Sequence, residues 1–153
     1  MTGFAKARAL ALIIPGALMA GALGSQYFGG LAPCEMCLWQ RWPHYAAIGL
    51  AALAFVVPQR ALVWLAALAI LISGGIGIFH AGVEYHWWEG LTQCSQVPGS
   101  SGSGNILADI MKTPLVRCDQ AQWSLFGISL AGYNAIVSIG GALLIMRLLM
   151  RKN

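Results

Sequence analysis

Ala9–Phe28, ALALIIPGALMAGALGSQYF, runs for 20 residues without an Asp, Glu, Lys or Arg. A helix of about 20 apolar residues is long enough to cross the hydrocarbon core of a bilayer. Three further stretches of the same kind follow. Trp42–Val57 has 16 residues, Ala61–Phe79 has 19 and Leu125–Met146 has 22. The second is short for a span and would borrow Leu38–Arg41 or sit where neighbouring helices thin the bilayer. Pro15 and the glycines at 16, 21 and 24 are tolerated in membrane helices, where neighbours re-satisfy freed backbone groups. Gly16, Ala20 and Gly24 recur every fourth residue, which reads equally as a close-packing face or as chance in an Ala/Gly-rich stretch.

The composition of the 153 residues agrees with this reading. Charged residues are 9% of the chain, against roughly 25% in soluble globular proteins. A chain this apolar is not disordered, because disorder requires low hydrophobicity and high charge. No basic stripe is present, so nucleic acid is not expected as a partner. The expectation is an all-α, polytopic membrane protein, a four-transmembrane-helix bundle forming a single integral membrane domain over residues 1–153. Its spans are expected at about 9–28, 42–57, 61–79 and 125–146. A cleaved signal peptide is the competing reading of the start, since Lys6 and Arg8 precede the first apolar run. The run exceeds a usual signal core, and Tyr27 and Phe28 sit where an interfacial aromatic belt would lie, which favours a retained helix.

Charge sorting orients the bundle. Lys6, Arg8, Arg60, Arg147, Arg151 and Lys152 fall on one side with no acidic residue. Arg41, Lys112 and Arg117 fall on the other with Glu35, Glu84, Glu89, Asp109 and Asp119. The positive-inside rule puts both termini and the turn at 58–60 in the cytoplasm. Two outer segments result, about 29–41 and 84–122.

All four cysteines lie in those outer segments, Cys34 and Cys37 in the first, Cys94 and Cys118 in the second. An even number, paired by loop on an outer face, indicates disulfide chemistry in an oxidising compartment. Two structural disulfides are one reading, and for Cys94 with Cys118 it carries weight. It explains Cys34-Glu35-Met36-Cys37 poorly, because so small a closed loop removes little chain entropy. That spacing suits a thiolate that forms, is attacked and re-forms. A four-cysteine zinc site lacks its second Cys-x-x-Cys knuckle, so no metal is expected. No haem motif or dinucleotide fingerprint is present. Electrons from outer-face thiols therefore need another acceptor, and a lipid-soluble quinone is the simplest. Arg41 follows Cys37 by one helical turn and shares its face. It either snorkels to lipid headgroups or lowers a thiol pKa and donates hydrogen bonds to a quinone oxygen.

Pro33-Cys34-Glu35-Met36-Cys37-Leu38-Trp39-Gln40-Arg41 resembles the P-C-x-x-C-x-x-x-R signature of the DsbB family. These are bacterial inner-membrane enzymes that reoxidise the periplasmic thiol oxidase DsbA. Gln26, eight residues before Cys34, and Cys118-Asp119-Gln120-Ala121-Gln122-Trp123 followed by Gly127 extend the resemblance over nearly the whole chain. It implies a thiol:quinone oxidoreductase of the bacterial inner membrane, with its cysteines periplasmic. Cys94 and Cys118 would form the disulfide that meets a reduced DsbA-like partner, Cys94 taking that partner in a mixed disulfide. Cys118 would exchange with Cys34, and Cys37 would react with ubiquinone or menaquinone. Arg41 would poise the quinone, with Gln26 and a histidine contributing. Of His80 and His86, His86 in Tyr85-His86-Trp87-Trp88 is the closer match, although an interfacial histidine in an aromatic belt reads almost as well.

The outer loop carries a Gly/Ser/Pro-rich stretch, 95–105. Ile106, Leu107, Ile110 and Met111 after it predict a short horizontal helix on the membrane surface. Two alternatives stand beside the main reading. One is an enzyme similar to the vitamin K epoxide reductase group, whose Cys-x-x-Cys would be expected late in the chain. The other is a non-catalytic membrane protein with two structural disulfides.

Overall fold

The computed structural model describes residues 3–90 and 117–151. Cys94, the stretch 95–105 and the expected surface helix at 106–112 lie outside these residues. The described chain forms four helices: α1 Gly3–Tyr27, α2 Glu35–Val56, α3 Arg60–Glu84 and α4 Leu130–Met150. A two-stranded hairpin, β1 Ser124–Leu125 with β2 Ile128–Ser129, precedes α4 and pairs antiparallel, Ser124 opposite Ser129.

Among the described residues three helices, α1, α3 and α4, are long and apolar enough to cross a membrane. Their outward faces are apolar too. Ile13, Leu65, Leu68, Ile72, Ile136, Leu143 and Leu144 are all exposed. A water-soluble surface rarely carries so much contiguous apolar area, whereas a lipid-facing surface requires it. The helix α2 is the exception. Its first three turns carry Glu35, Gln40, Arg41 and His44, so its apolar run begins late.

In the bundle α3 packs on α2 and α4, and α1 packs on the same two from the other side, with α2 and α4 touching least. Small side chains make this close packing possible. Ala7, Ala11, Ala47, Ala51, Ala54, Ala66, Ala67 and Ala142 are all buried in one cluster with Val63, Ile70 and Ile145. The closest approach is between α3 and α4. A side chain at Gly77 would meet the Ala131 carbonyl oxygen at 3.0 Å, and one at Gly74 would meet Ile139 Cγ1 at 2.7 Å. The glycines that bring helices together therefore lie in α3 and α4, since a side chain at Gly141 of α4 would meet Ile14 Cδ1 of α1 at 2.6 Å. The candidate face Gly16, Ala20, Gly24 of α1 packs against nothing of the kind: Ala20 is exposed, and both glycines have open space where a side chain would be. The buried stripe of α1 is instead Ala7, Ala11, Pro15 and Met19.

The last expected span is corrected at its start. Residues 125–129 are hairpin and cap, not helix. Phe126 (φ 50) and Gly127 (φ 77) form the two-residue loop with positive φ at both positions that suits the twist of a hairpin. Ser129 then caps α4, its Oγ accepting from Gly132 N at 3.1 Å. Tyr85, just past the end of α3, holds this hairpin in place. Its hydroxyl donates to Gly127 O at 2.8 Å and accepts from Ser129 N at 3.0 Å.

Candidate functional site

Cys34 is the N-cap of α2. Its backbone is extended, and its Sγ accepts from Cys37 N at 3.3 Å. The cap puts Cys37 in the first turn on the same side, and the two sulfurs are 2.9 Å apart as hydrogen-bonded thiols. The pair is unequal. Cys34 is 5% exposed and packs with Met36, Val83 and Cys118, which is 2% exposed. Its thiol is pushed far up, because it gives its proton to the hydrogen bond with Cys37 and is buried. Cys37 is held below the ordinary thiol range, chiefly by that same hydrogen bond from Cys34. Burial opposes this shift, while Arg41 assists it through its charge. A helix N-terminus favours an anionic sulfur as well. The negative charge of the pair therefore rests on Cys37.

Arg41 lies one turn further along α2. Its Nη1 donates to Gln26 Oε1 at 2.6 Å and its Nη2 to Ala22 O at 3.3 Å, tying α2 to the end of α1. Gln26, expected at the quinone site, meets Arg41 and does not itself line the cavity described below. A guanidinium has five N–H donors, so this anchoring leaves others for a ligand.

The histidine expectation is corrected. His86 sits in the turn after α3 with φ 59 and is exposed. His80, one turn inside α3 and 1% exposed, stands at the dithiol instead, its Nε2 3.5 Å from Cys34 Sγ. The reason is helical phase. His80 lies on the buried face of α3 with Ser73, Gly77 and Val83, whereas α3 ends at Glu84 and the chain turns away before His86. His80 Nε2 is also 3.7 Å from Glu84 Oε1, and Gln40 Nε2 reaches His80 Nδ1 at 2.7 Å. The donor atoms of Cys34, Cys37 and His80 lie within 4.8 Å of one another, which would supply three of the four ligands zinc takes.

These groups open on a cavity of about 220 Å³ between α1, α2 and α4. Cys37, Gln40, Arg41 and His44 line it from α2, at the spacing of one helix face. Ala17, Leu18, Gly21 and Ala22 of α1 and Leu130 and Ala131 of α4 supply an apolar wall. An apolar slot with a thiol, a cation and a few polar atoms at fixed points is the form of a small-molecule site. Three of the four expected cysteines are therefore brought together, with Arg41 and Gln26. Cys94 lies outside the described residues.

Reading the sequence missed Gln40, His44, Ser73, Glu84 and Asn134. Gln40 and His44 carried a signal, since they share with Cys37 and Arg41 the spacing of one α2 face. Ser73 and Asn134 carried another as polar residues inside apolar spans, which face the interior and commonly serve function.

A family model described as Disulfide bond formation protein DsbB matches residues 5–148. Disulfide bond formation protein B of Dechloromonas aromatica is 25% identical over 147 residues, covering 89% of this chain and 86% of that protein. The protein of the same name in Alkalilimnicola ehrlichii is 27% identical over 124 residues, 61% of this chain and 76% of that one. An uncharacterized Rickettsia prowazekii protein is 23% identical over 120 residues, 75% of this chain and 70% of its own length. No solved structure matches the chain.

Proposed function

The chain belongs to the DsbB family of disulfide bond formation proteins, and from that premise we propose that it is a thiol:quinone oxidoreductase that reoxidises a DsbA-like dithiol protein. Its place would be the bacterial inner membrane, crossed four times, with α2 as the fourth span over residues 42–57. Both termini would be cytoplasmic and the cysteines periplasmic, following the charge distribution.

The observation that carries the reading is that Cys37 and Arg41 line one apolar cavity while Cys34, hydrogen-bonded to Cys37, packs beside Cys118. The partner's dithiol would reduce the Cys94–Cys118 disulfide, becoming a disulfide itself. Cys118 would then attack a Cys34–Cys37 disulfide at Cys34, restoring the first pair and leaving the second as the dithiol seen here. Each exchange moves two electrons and conserves sulfur–sulfur bonds. A quinone in the cavity would take up the two electrons and two protons released as Cys34 and Cys37 re-form their disulfide. The residues fit such a ring: apolar walls from α1 and α4, and a guanidinium to face an oxygen that gains negative charge. Cys37 is the better nucleophile of the pair, because the reactive form is the thiolate. Its position on the cavity side puts the charge where the acceptor would lie.

The experiment is quinone reduction by the purified full-length chain with a reduced dithiol partner. We expect turnover, abolished in Cys34→Ser and in Cys37→Ser with both variants still folded. Wild-type turnover in both variants would overturn the proposal.

A further inference from the structure

Past the dithiol, α2, α3 and α4 share a polar cluster whose hydrogen bonds can be followed atom by atom. Asn134 Nδ2 lies 3.3 Å from the Ser73 carbonyl oxygen and 2.7 Å from Gln40 Oε1. A carbonyl oxygen only accepts, so the Asn134 amide is oriented with its nitrogen on that side. Its Oδ1 then faces Ser138 Oγ at 3.0 Å and His44 Nε2 at 2.9 Å. An amide oxygen also only accepts, so His44 Nε2 carries the proton. Ser73 Oγ, 3.0 Å away, already donates to Gln40 O at 2.8 Å and can accept from the same N–H. In the neutral ring Nδ1 is left as a bare acceptor. His44 is 3% exposed, and its Nδ1 is buried without a hydrogen-bond partner among the described residues. An unsatisfied buried polar atom is costly and rare.

His44 also lines the cavity, on the α2 face that carries Cys37 and Arg41. Cys37 and His44 are two turns apart, about 10 Å along the helix axis, which leaves room for one aromatic ring between them. The polar character of the two positions differs. Arg41 can only donate, which suits a carbonyl or an anionic oxygen. The His44 acceptor cannot bind a carbonyl and suits an O–H.

We propose that His44 Nδ1 is the binding partner for a ring hydroxyl, so that the cavity recognises a hydroxyl-bearing aromatic ligand, with Arg41 and His44 as its two polar anchors. The inference rests on the quinone reading, because the reduced form of a quinone carries a hydroxyl where the oxidised form has a carbonyl. The cluster of Asn134, Ser73 and Ser138 acts by fixing the tautomer of His44.

The test uses two probes that undergo no quinone redox cycle, an alkyl 4-hydroxybenzoate and its 4-methoxy counterpart. Their affinities for the purified full-length protein in detergent are measured by calorimetry. One added hydrogen bond to a buried acceptor predicts that the hydroxy compound binds about tenfold more tightly. In His44→Phe the ratio should fall to about one. His44→Gln, whose amide oxygen can accept, should keep part of the preference. In the wild-type protein the ¹⁵N resonance of His44 Nδ1 should move with the hydroxy compound and not with the methoxy one. Equal affinities in the wild type, an unchanged preference in His44→Phe, or a His44 resonance indifferent to the phenol would each overturn the proposal. The resonance decides the matter should the Phe variant fail to fold. A chain that keeps the hydroxyl preference yet reduces no quinone would refute the functional reading and leave the hydroxyl site standing.

Discussion

Gln26→Leu separates holding Arg41 from possessing it. The Arg41 Nη1 to Gln26 Oε1 bond is 2.6 Å, whereas the second anchor, Nη2 to Ala22 O, is 3.3 Å. A charge-assisted hydrogen bond contributes roughly 1.5–3 kcal/mol. Removing the guanidinium with Arg41→Gln therefore exposes the full effect, about ten- to a hundredfold in quinone use. Gln26→Leu keeps the charge and the weaker anchor and loosens only its placement, so about three- to tenfold is expected. Arg41→Lys should also recover part of the loss, because it retains charge without the planar fork. The assay is steady-state quinone reduction against quinone concentration with the dithiol partner saturating, so that the change appears in the quinone KM or in turnover. Partner kinetics should stay intact in all three variants. If Arg41→Gln is impaired and Gln26→Leu is not, Arg41 needs no anchor from Gln26. If neither changes, the guanidinium does not serve the quinone and the cavity assignment fails.

The thiol pair makes a prediction about pH. In the reduced protein, alkylation of Cys37 should have its midpoint below the ordinary thiol value of about 8.5, because Cys34 stabilises its thiolate. Its reactivity should therefore persist as pH falls, whereas Cys34 stays protonated and slow; a Cys37 midpoint at or above the ordinary value would refute this. Asn134→Leu removes the hub that joins Gln40, Ser73, His44 and Ser138 and should lower stability by about 1–3 kcal/mol, read from the unfolding midpoint in detergent with denaturant. Gly82→Ala would place a methyl inside the Trp88 ring, which now stacks on Phe79 with centroids 5.9 Å apart. The ring must move and surrender its Nε1 bond to Phe79 O, so a shift in tryptophan emission is expected, and an unchanged spectrum would contradict the packing.

Much of the helical frame was legible because apolar length is a direct physical requirement for crossing lipid, and α1, α3 and α4 follow it. The start of the last span was not. Leu125 and Ile128 are as apolar as any helix residue, and only Phe126-Gly127, held at positive φ, reveals the hairpin. The pairing of Arg41 with Gln26 could not be read either. The two are 15 residues apart with a turn between them, and their contact exists only because α1 and α2 lie side by side. His80 against His86 was a question of helical phase and of where α3 stops. The family resemblance drew the reading to His86, while the burial of the α3 face selects His80. The polar cluster around Asn134 is a tertiary construction from three helices, so sequence shows its members but not their partnership.

The asymmetry of the two thiols links the fold to a direction of flow. Capping α2 with Cys34 puts this sulfur at the junction of α2, α3 and the segment that carries Cys118, where its hydrogen bond to Cys37 and its burial suppress its ionisation. The same cap turns Cys37 toward the cavity and gives it a thiol donor at 2.9 Å, so a charge that Cys34 cannot hold is held by its neighbour. Glu84 opposes that charge through its own, and Arg41 supports it. Both sulfurs line the cavity and both pack at the cluster that holds Cys118, so in the proposed relay it is charge that would divide their roles, with Cys37 as the thiolate. The N-cap bond from Cys37 N works the other way, easing the Cys34 thiol down, so the difference between the sulfurs rests on the hydrogen bond between them and on the burial of Cys34. In the proposed relay, the placement of the two sulfurs about the α2 boundary at residue 35 would therefore leave Cys34 protonated beside Cys118 and Cys37 as the thiolate at the cavity.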